Sequence, residues 1–288
     1  MFRTKPTAAY VLSAIIIVIT IVATAGGLFI TDLYRDNAFA TSAWRGTDLV
    51  TLVVAVPILI AALLLAQRGS FRAQLVWLAM LDYTLYNYAY YLFGAAFNAF
   101  FLIYVALFTL SMLALIFGLA KVDVESIRQR FRGRTPVKWI AGYMLFVALG
   151  IGGLWIAQSL SFVITGQVPE FLLKVEHPTS VVFALDLSLV VPFLVLGGVW
   201  LWRHRPWGYV LAAMLSVKGA VYMLALAAVS IMAAEAGFPE DLAQLPLWGL
   251  LSLGFLLASL FLLGNVRSLP CSGTVDCRGS SKRDCSGS

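Results

Sequence analysis

Residues 47–68 read TDLVTLVVAVPILIAALLLAQR, and residues 181–203 read VVFALDLSLVVPFLVLGGVWLWR. Each is an unbroken apolar run of the length, about 20 residues, that an α-helix needs to cross a hydrocarbon core about 30 Å thick. Neither alternates apolar with polar residues, and each is about twice the length of a barrel strand, which excludes a membrane β-barrel. An offset of 135 residues brings Pro57 onto Pro192 and Arg68 onto Arg203. Both runs carry an Asp-Leu pair near one end (Asp48 and Asp186), a proline in the middle and an arginine at the far end.

Reading outward from these two stretches gives eight apolar runs, at about 8–30, 47–66, 73–93, 98–119, 139–163, 180–202, 208–233 and 245–266. The 288 residues are 61% hydrophobic and 12% charged, with a mean hydropathy of +0.91. Soluble domains run about 45–50% apolar and about 25% charged, so a soluble enzyme of this length is excluded. The predicted fold class is all-α, a polytopic membrane protein with eight transmembrane helices. The net charge of +6 does not point to nucleic acid, because the basic residues sit in short loops between apolar runs.

Those loops orient the chain. Basic residues from Arg3 and Lys5 through Arg68, Arg72, the 121–138 loop, Arg203, Arg205 and Arg267 fall on one side, and only Arg35, Arg45 and Lys174 fall on the other. By the positive-inside rule both termini are expected to be cytoplasmic, in a multi-pass protein of the plasma membrane. The first run follows a basic stretch and contains Ala23-Thr24-Ala25, but it is longer than the usual signal-peptide core of about 7–15 residues. It is therefore read as a retained helix.

The loops at 31–46 and 164–179 are equally long, and the runs before and after them keep the same spacing. This predicts a 4+4 tandem repeat. Four spans per half put both halves in the same orientation, related by an axis along the membrane normal, as in parallel-repeat transporters. The expected organisation is a first four-helix half over 1–120, a basic cytoplasmic linker over 121–138, a second half over 139–267 and a disordered cytoplasmic tail over 268–288. Pro57 and Pro192 each remove a backbone donor and are expected to kink their helices toward a polar interior.

Ionisable groups inside a bilayer are costly, at about 2.5–3.5 kcal/mol each on insertion scales, and mark function by default. Three stand within the runs: Asp82, Asp186 and Lys218. At 1.5 Å per residue, Asp82 lies roughly 14 Å and Lys218 roughly 15 Å from the same edge. Under the 135-residue offset Asp82 falls beside Lys218, so the two are expected to form an ion pair. Asp82, Tyr83, Tyr86, Asn87 and Tyr90 share one helical stripe, and Tyr222 stacks on Lys218 at i, i+4. These side chains are candidate substrate-binding or gating groups. Asp186 belongs with them, and Asp48 and Asn98 are placed at the outer mouth. Tyr90, Tyr91, Trp44, Trp77, Trp202, Trp207 and Trp248 are assigned to the aromatic belts of the membrane interfaces.

Other chemistry finds no residues. His177 and His204 are the two histidines and both lie in loops, which excludes bis-His haem within the bundle. No HExxH, CxxC or Cys/His cluster offers a metal site, and no P-loop offers a nucleotide site. Cys271, Cys277 and Cys285 all fall in the tail. The expectation is therefore no metal and no cofactor, and no residue is assigned as catalytic. The 121–138 loop carries six basic and two acidic residues and is expected to attract anionic headgroups. Gly150, Gly152, Gly153, Gly197 and Gly198 are read as points of close helix packing, and Pro169 to His177 as a short interfacial helix capping the cavity mouth.

Together these features predict a small-solute or proton-coupled transporter with a polar cavity between two four-helix halves, in which protonation of Asp82 breaks its pair with Lys218. A non-catalytic membrane subunit or sensor is the first alternative. An intramembrane enzyme acting on a lipid or isoprenoid, with a lipidic ligand, is the second.

Overall fold

The computed structural model describes residues 1–266 apart from 125, 126, 128, 129, 132 and 133. Arg128, Arg132, Arg267 and the cysteine-bearing tail 268–288 lie outside the described residues. Eight long helices follow one another: α1 (Thr7–Phe29), α2 (Ala38–Gln67), α3 (Phe71–Gly94), α4 (Phe101–Ala120), α5 (Val137–Thr165), α6 (Val181–Trp202), α7 (Pro206–Glu235) and α8 (Leu245–Gly264). Among the described residues the only extended pairing is two isolated bridges, Phe2 to Val122 and Phe131 to Val266. Seven of the helices, all but α3, are long and apolar enough to cross a membrane, the make-up of a multi-pass helical membrane protein.

The exception has a physical reason. α3 has the length of a span, but Gln74, Asp82, Asn87 and five tyrosines dilute its apolar character. It runs through the middle of the bundle against α2, α4, α7 and the first turn of α6. Trp77, Tyr83, Tyr88 and Tyr91 on it are essentially inaccessible. A helix shielded by other helices has its polar groups satisfied by protein and need not be soluble in lipid.

α2 begins nine residues before its apolar run, because Asn37 caps it by accepting from the Ala40 amide at 2.9 Å. The added turns bury Phe39, Ala40, Ala43 and Trp44. Gly46 lies so close to α7 that a Cβ there would stand 2.7 Å from the Val229 backbone. Small residues permit such backbone approach between membrane helices. Gly46→Leu is accordingly expected to lower stability by about 1–3 kcal/mol, measured by thermal unfolding in detergent. A wild-type melting curve would show that α2 and α7 are not so closely packed.

Pro57 and Pro192 occupy equivalent breaks in α2 and α6. Each follows one turn of π-helix, Thr51–Ala55 and Asp186–Val190, and stands at the start of the α-helical segment that continues the rod. The widened turn absorbs the clash between the proline ring and the preceding carbonyl. The hairpins that follow also correspond: Gly69 and His204 both have positive φ, 87° and 56°, and α3 and α7 begin at Phe71 and Pro206.

The two sets of four helices close differently. In the first, α1 packs along α4 as well as on α2, closing a ring with α3. In the second, α5, α6, α7 and α8 pack in a row. Contacts between its ends come from the first turns of α5, where the Tyr143 hydroxyl donates to the Leu251 carbonyl at 2.7 Å and Trp139 meets Phe261 edge to face. Gly197, Gly198 and Gly152 sit in close contact with neighbouring helices, whereas Gly150 and Gly153 face open space.

Candidate functional site

The open row leaves a cavity of about 960 Å³. α2 and α3 wall it on one side and α5 to α8 on the others, with lining residues that include Thr47, Tyr86, Trp155, Asp186, Lys218 and Leu251. At the face of the bundle that carries most acidic loop residues it reaches Gln167, Glu170, Glu240 and Gln244. Its inner end lies at Leu194, Leu215 and Lys218, in the middle of α6 and α7. About 300–1,000 Å³ is the usual range for small-molecule sites, which are mostly apolar with a few convergent polar groups.

Four helices bring the polar groups together. Asp186, the first residue of the α6 π turn, accepts hydrogen bonds from the Tyr86 hydroxyl of α3 at 2.6 Å and from the Trp155 indole of α5 at 2.8 Å. On α7, Lys218 Nζ lies 3.2 Å from Asp82 Oδ2 and 4.6 Å from the centre of the Tyr86 ring. Tyr86 also meets Tyr222 edge to face at 5.1 Å. Asp186 is 8% exposed and Lys218 7%. Hydrogen-bonded and paired charges are the form in which such burial is sustained. Asp82, Lys218, Asp186, Tyr86 and Tyr222 thus form one connected cluster.

The other sequence-selected residues are placed elsewhere. Tyr83 hydrogen bonds with Thr51 at 2.8 Å, away from the cavity lining. Asn87 is fully buried with neither amide atom hydrogen-bonded. Asn98 folds back on its own turn, donating to the Ala96 carbonyl and accepting from the Phe100 amide. Asp48 is 1% exposed and walled in: Tyr34 and Tyr91 donate to its carboxylate, and Gly27 is the residue whose missing side chain makes room for it. Asp48 and Asn98 therefore do not line the cavity. Trp44 and Trp77, assigned to the aromatic belts, are instead wholly buried, with their indoles donating to Asp36 and Ser13. Tyr91 is buried with them, while Trp202 is 48% exposed.

Sequence reasoning missed Trp155 and the charged ties at the mouth. Trp155 carried one legible signal, a tryptophan well inside its helix rather than at an end. At the mouth, the short helix Glu170–Val175 carries Lys174 across to Glu240 at 3.0 Å and Asp241 at 2.6 Å. Its ammonium also lies over the rings of Phe39 and Phe238. Burial pulls the Lys174 pKa down, but the hydrogen bonds it donates to Asp241 and Glu240 outweigh it and hold the group above its ordinary value. The hydrogen bond from Lys174 holds Glu240 below the usual carboxylate range. A second tie joins Asp36 to His177 at 3.1 Å and to the Trp44 indole. No group of three metal-ligating side chains occurs among the described residues.

The chain matches no known protein family, no curated protein and no solved structure. Fold and site define a multi-pass helical membrane protein with a large cavity floored by buried, paired charges.

Proposed function

We propose that the protein is a transporter that takes up a small organic molecule through this cavity, with the Asp82–Lys218 pair and Asp186 at its floor. The observation that carries the reading is the course of the cavity. It runs from the acidic-residue face to about the middle of α6 and α7 and stops on ionisable side chains. Ionisable groups at that depth mark substrate and proton pathways, and broken helices line such sites in transporters. The two helices carrying π turns, α2 and α6, both border the cavity. Passage onward requires the floor to open, and protonation of Asp82 would release Lys218 and loosen it.

The same reading takes α3 as the eighth span and the chain as a 4+4 repeat with both termini cytoplasmic. The repeat is supported by the π turns, positive-φ hairpin residues and helix starts that recur at the 135-residue offset. On this reading the first half is the closed form of the unit and the second half the open one.

The test is transport in proteoliposomes enclosing a pH-sensitive dye, challenged with a panel of small organic solutes. Wild type should move protons with at least one solute, and Asp82→Asn should lose at least tenfold of that rate. Equal rates and equal pH dependence in the two proteins would sink the proposal. A solute recovered chemically altered would favour the enzyme reading instead.

A further inference from the structure

We infer that the molecule taken by this cavity is a hydrophobic organic cation, an inference that rests on the transport reading for its cargo role but not for its chemistry. Three features of the cavity point the same way.

The first is charge. The protein as a whole is basic, with a formal charge of +6, yet the cavity is not. Glu170, Asp186, Glu240 and Asp241 line it against Lys174 and Lys218. Lys174 is engaged by both Glu240 and Asp241, and Lys218 by Asp82, which stands behind the lining. Each ammonium thus already has a carboxylate partner. Asp186, in contrast, is met by two neutral donors, the Tyr86 hydroxyl and the Trp155 indole, and among the described residues by no cation within ion-pair distance, Lys218 acting on it only from farther away. A cleft whose lining carries four carboxylates against two ammoniums, both already paired, concentrates cations.

The second is the aromatic wall around that carboxylate. Tyr86, Tyr90, Trp155 and Tyr222 all line the cavity, and the faces of such rings attract ammonium-like groups, most strongly when desolvated. The site already demonstrates this chemistry with its own side chain, since Lys218 Nζ sits over the Tyr86 ring.

The third is the apolar flank. Beyond the Tyr143 contact, α5 contributes Phe146 and Leu154 to the cavity and α8 contributes Leu247 and Leu251. Leu154 and Leu247 are each about half exposed, 51% and 50%, on helices apolar enough to sit in lipid. Exposed apolar side chains of α5 and α8 thus flank the polar floor. A cation with apolar substituents matches both the flank and the floor, whereas a strongly hydrated ion matches only the floor.

The experiment is equilibrium binding of tetraphenylphosphonium and tetraphenylborate, ions of nearly the same shape and opposite charge, to the full chain in zwitterionic nanodiscs, with empty nanodiscs subtracted. Saturable binding of the cation, at least tenfold tighter than that of the anion, is expected. Asp186→Asn and Gln158→Lys, the second adding a positive charge to the cavity wall without removing a buried group, should each weaken cation binding at least tenfold. Glu235→Gln, an exposed carboxylate of the same face that does not line the cavity, should leave it unchanged. Equal affinity for the two ions, or tighter binding of the anion, overturns the inference, as does cation binding that survives Gln158→Lys. Because binding is measured without a gradient, its outcome is separate from transport. Charge-selective binding with no flux of the cation in proteoliposomes would leave the ligand class standing and remove the transport reading.

Discussion

Lys218→Met is expected to destabilise the protein by about 3–5 kcal/mol, and the double variant Asp82→Asn/Lys218→Met to recover most of the loss. The single substitution leaves the Asp82 carboxylate in the bundle without the ammonium now 3.2 Å away, and an uncompensated buried charge is penalised by that order. It also strips the cation from the Tyr86 ring and removes positive charge from the neighbourhood of Asp186. Asp82→Asn alone is expected to cost less. Lys218 then keeps the Tyr86 face, and the Asp82 side chain is the more exposed partner, 19% against 9%. Thermal unfolding of the four proteins in detergent gives the coupling directly, since the energies of interacting residues do not add. Losses that simply add would show that the two charges are separately hydrated and do not stabilise one another.

The second large effect is expected at Asp48 and is of a different kind. Asp48→Ala removes the acceptor of the Tyr34 hydroxyl and leaves Tyr91 with only the Trp44 carbonyl, 2.9 Å away. A buried hydroxyl without a partner costs about 1–3 kcal/mol, and the space vacated beside Gly27 adds to it. The loss should appear in the melting temperature while binding of tetraphenylphosphonium stays at the wild-type value, because Asp48 lies outside the cavity. The contrast with Asp186→Asn separates the two intramembrane aspartates near the helix breaks, one holding a closed unit together and the other facing an open one. A drop in cation affinity for Asp48→Ala at a temperature where it remains folded would show instead that the two clusters act as one site.

How much of this was legible depends on how local each feature is. Asp82 and Lys218 could be matched from sequence because depth along a helix follows from residue count alone, and helices entering from the same side share a common edge. Pro57 and Pro192 could be matched because their spacing survives in the linear chain. Asp48 was placed at the outer mouth because its apolar run begins beside it, whereas Asn37 starts the helix three turns earlier and the added turns help to bury it. Trp44, Trp77 and Tyr91 were misjudged for a related reason. Interfacial position is a property of depth, but burial depends on which neighbours surround the helix, and α3 is surrounded almost entirely.

Composition and helical periodicity by themselves determined that this chain is a helical membrane protein, where its helices lie along the sequence, and which charges must be held among them, because each follows from the transfer of a short segment into lipid. They did not determine which of those polar groups share a space. That was decided by packing between distant segments: α1 closes on α4, while α5 and α8 part above Tyr143. The parting exposes Asp186, Lys218 and their aromatic neighbours to one cavity and leaves Asp48 sealed. Helix tilt and side-chain volume at such contacts act across the bundle, and no window of sequence contains both partners.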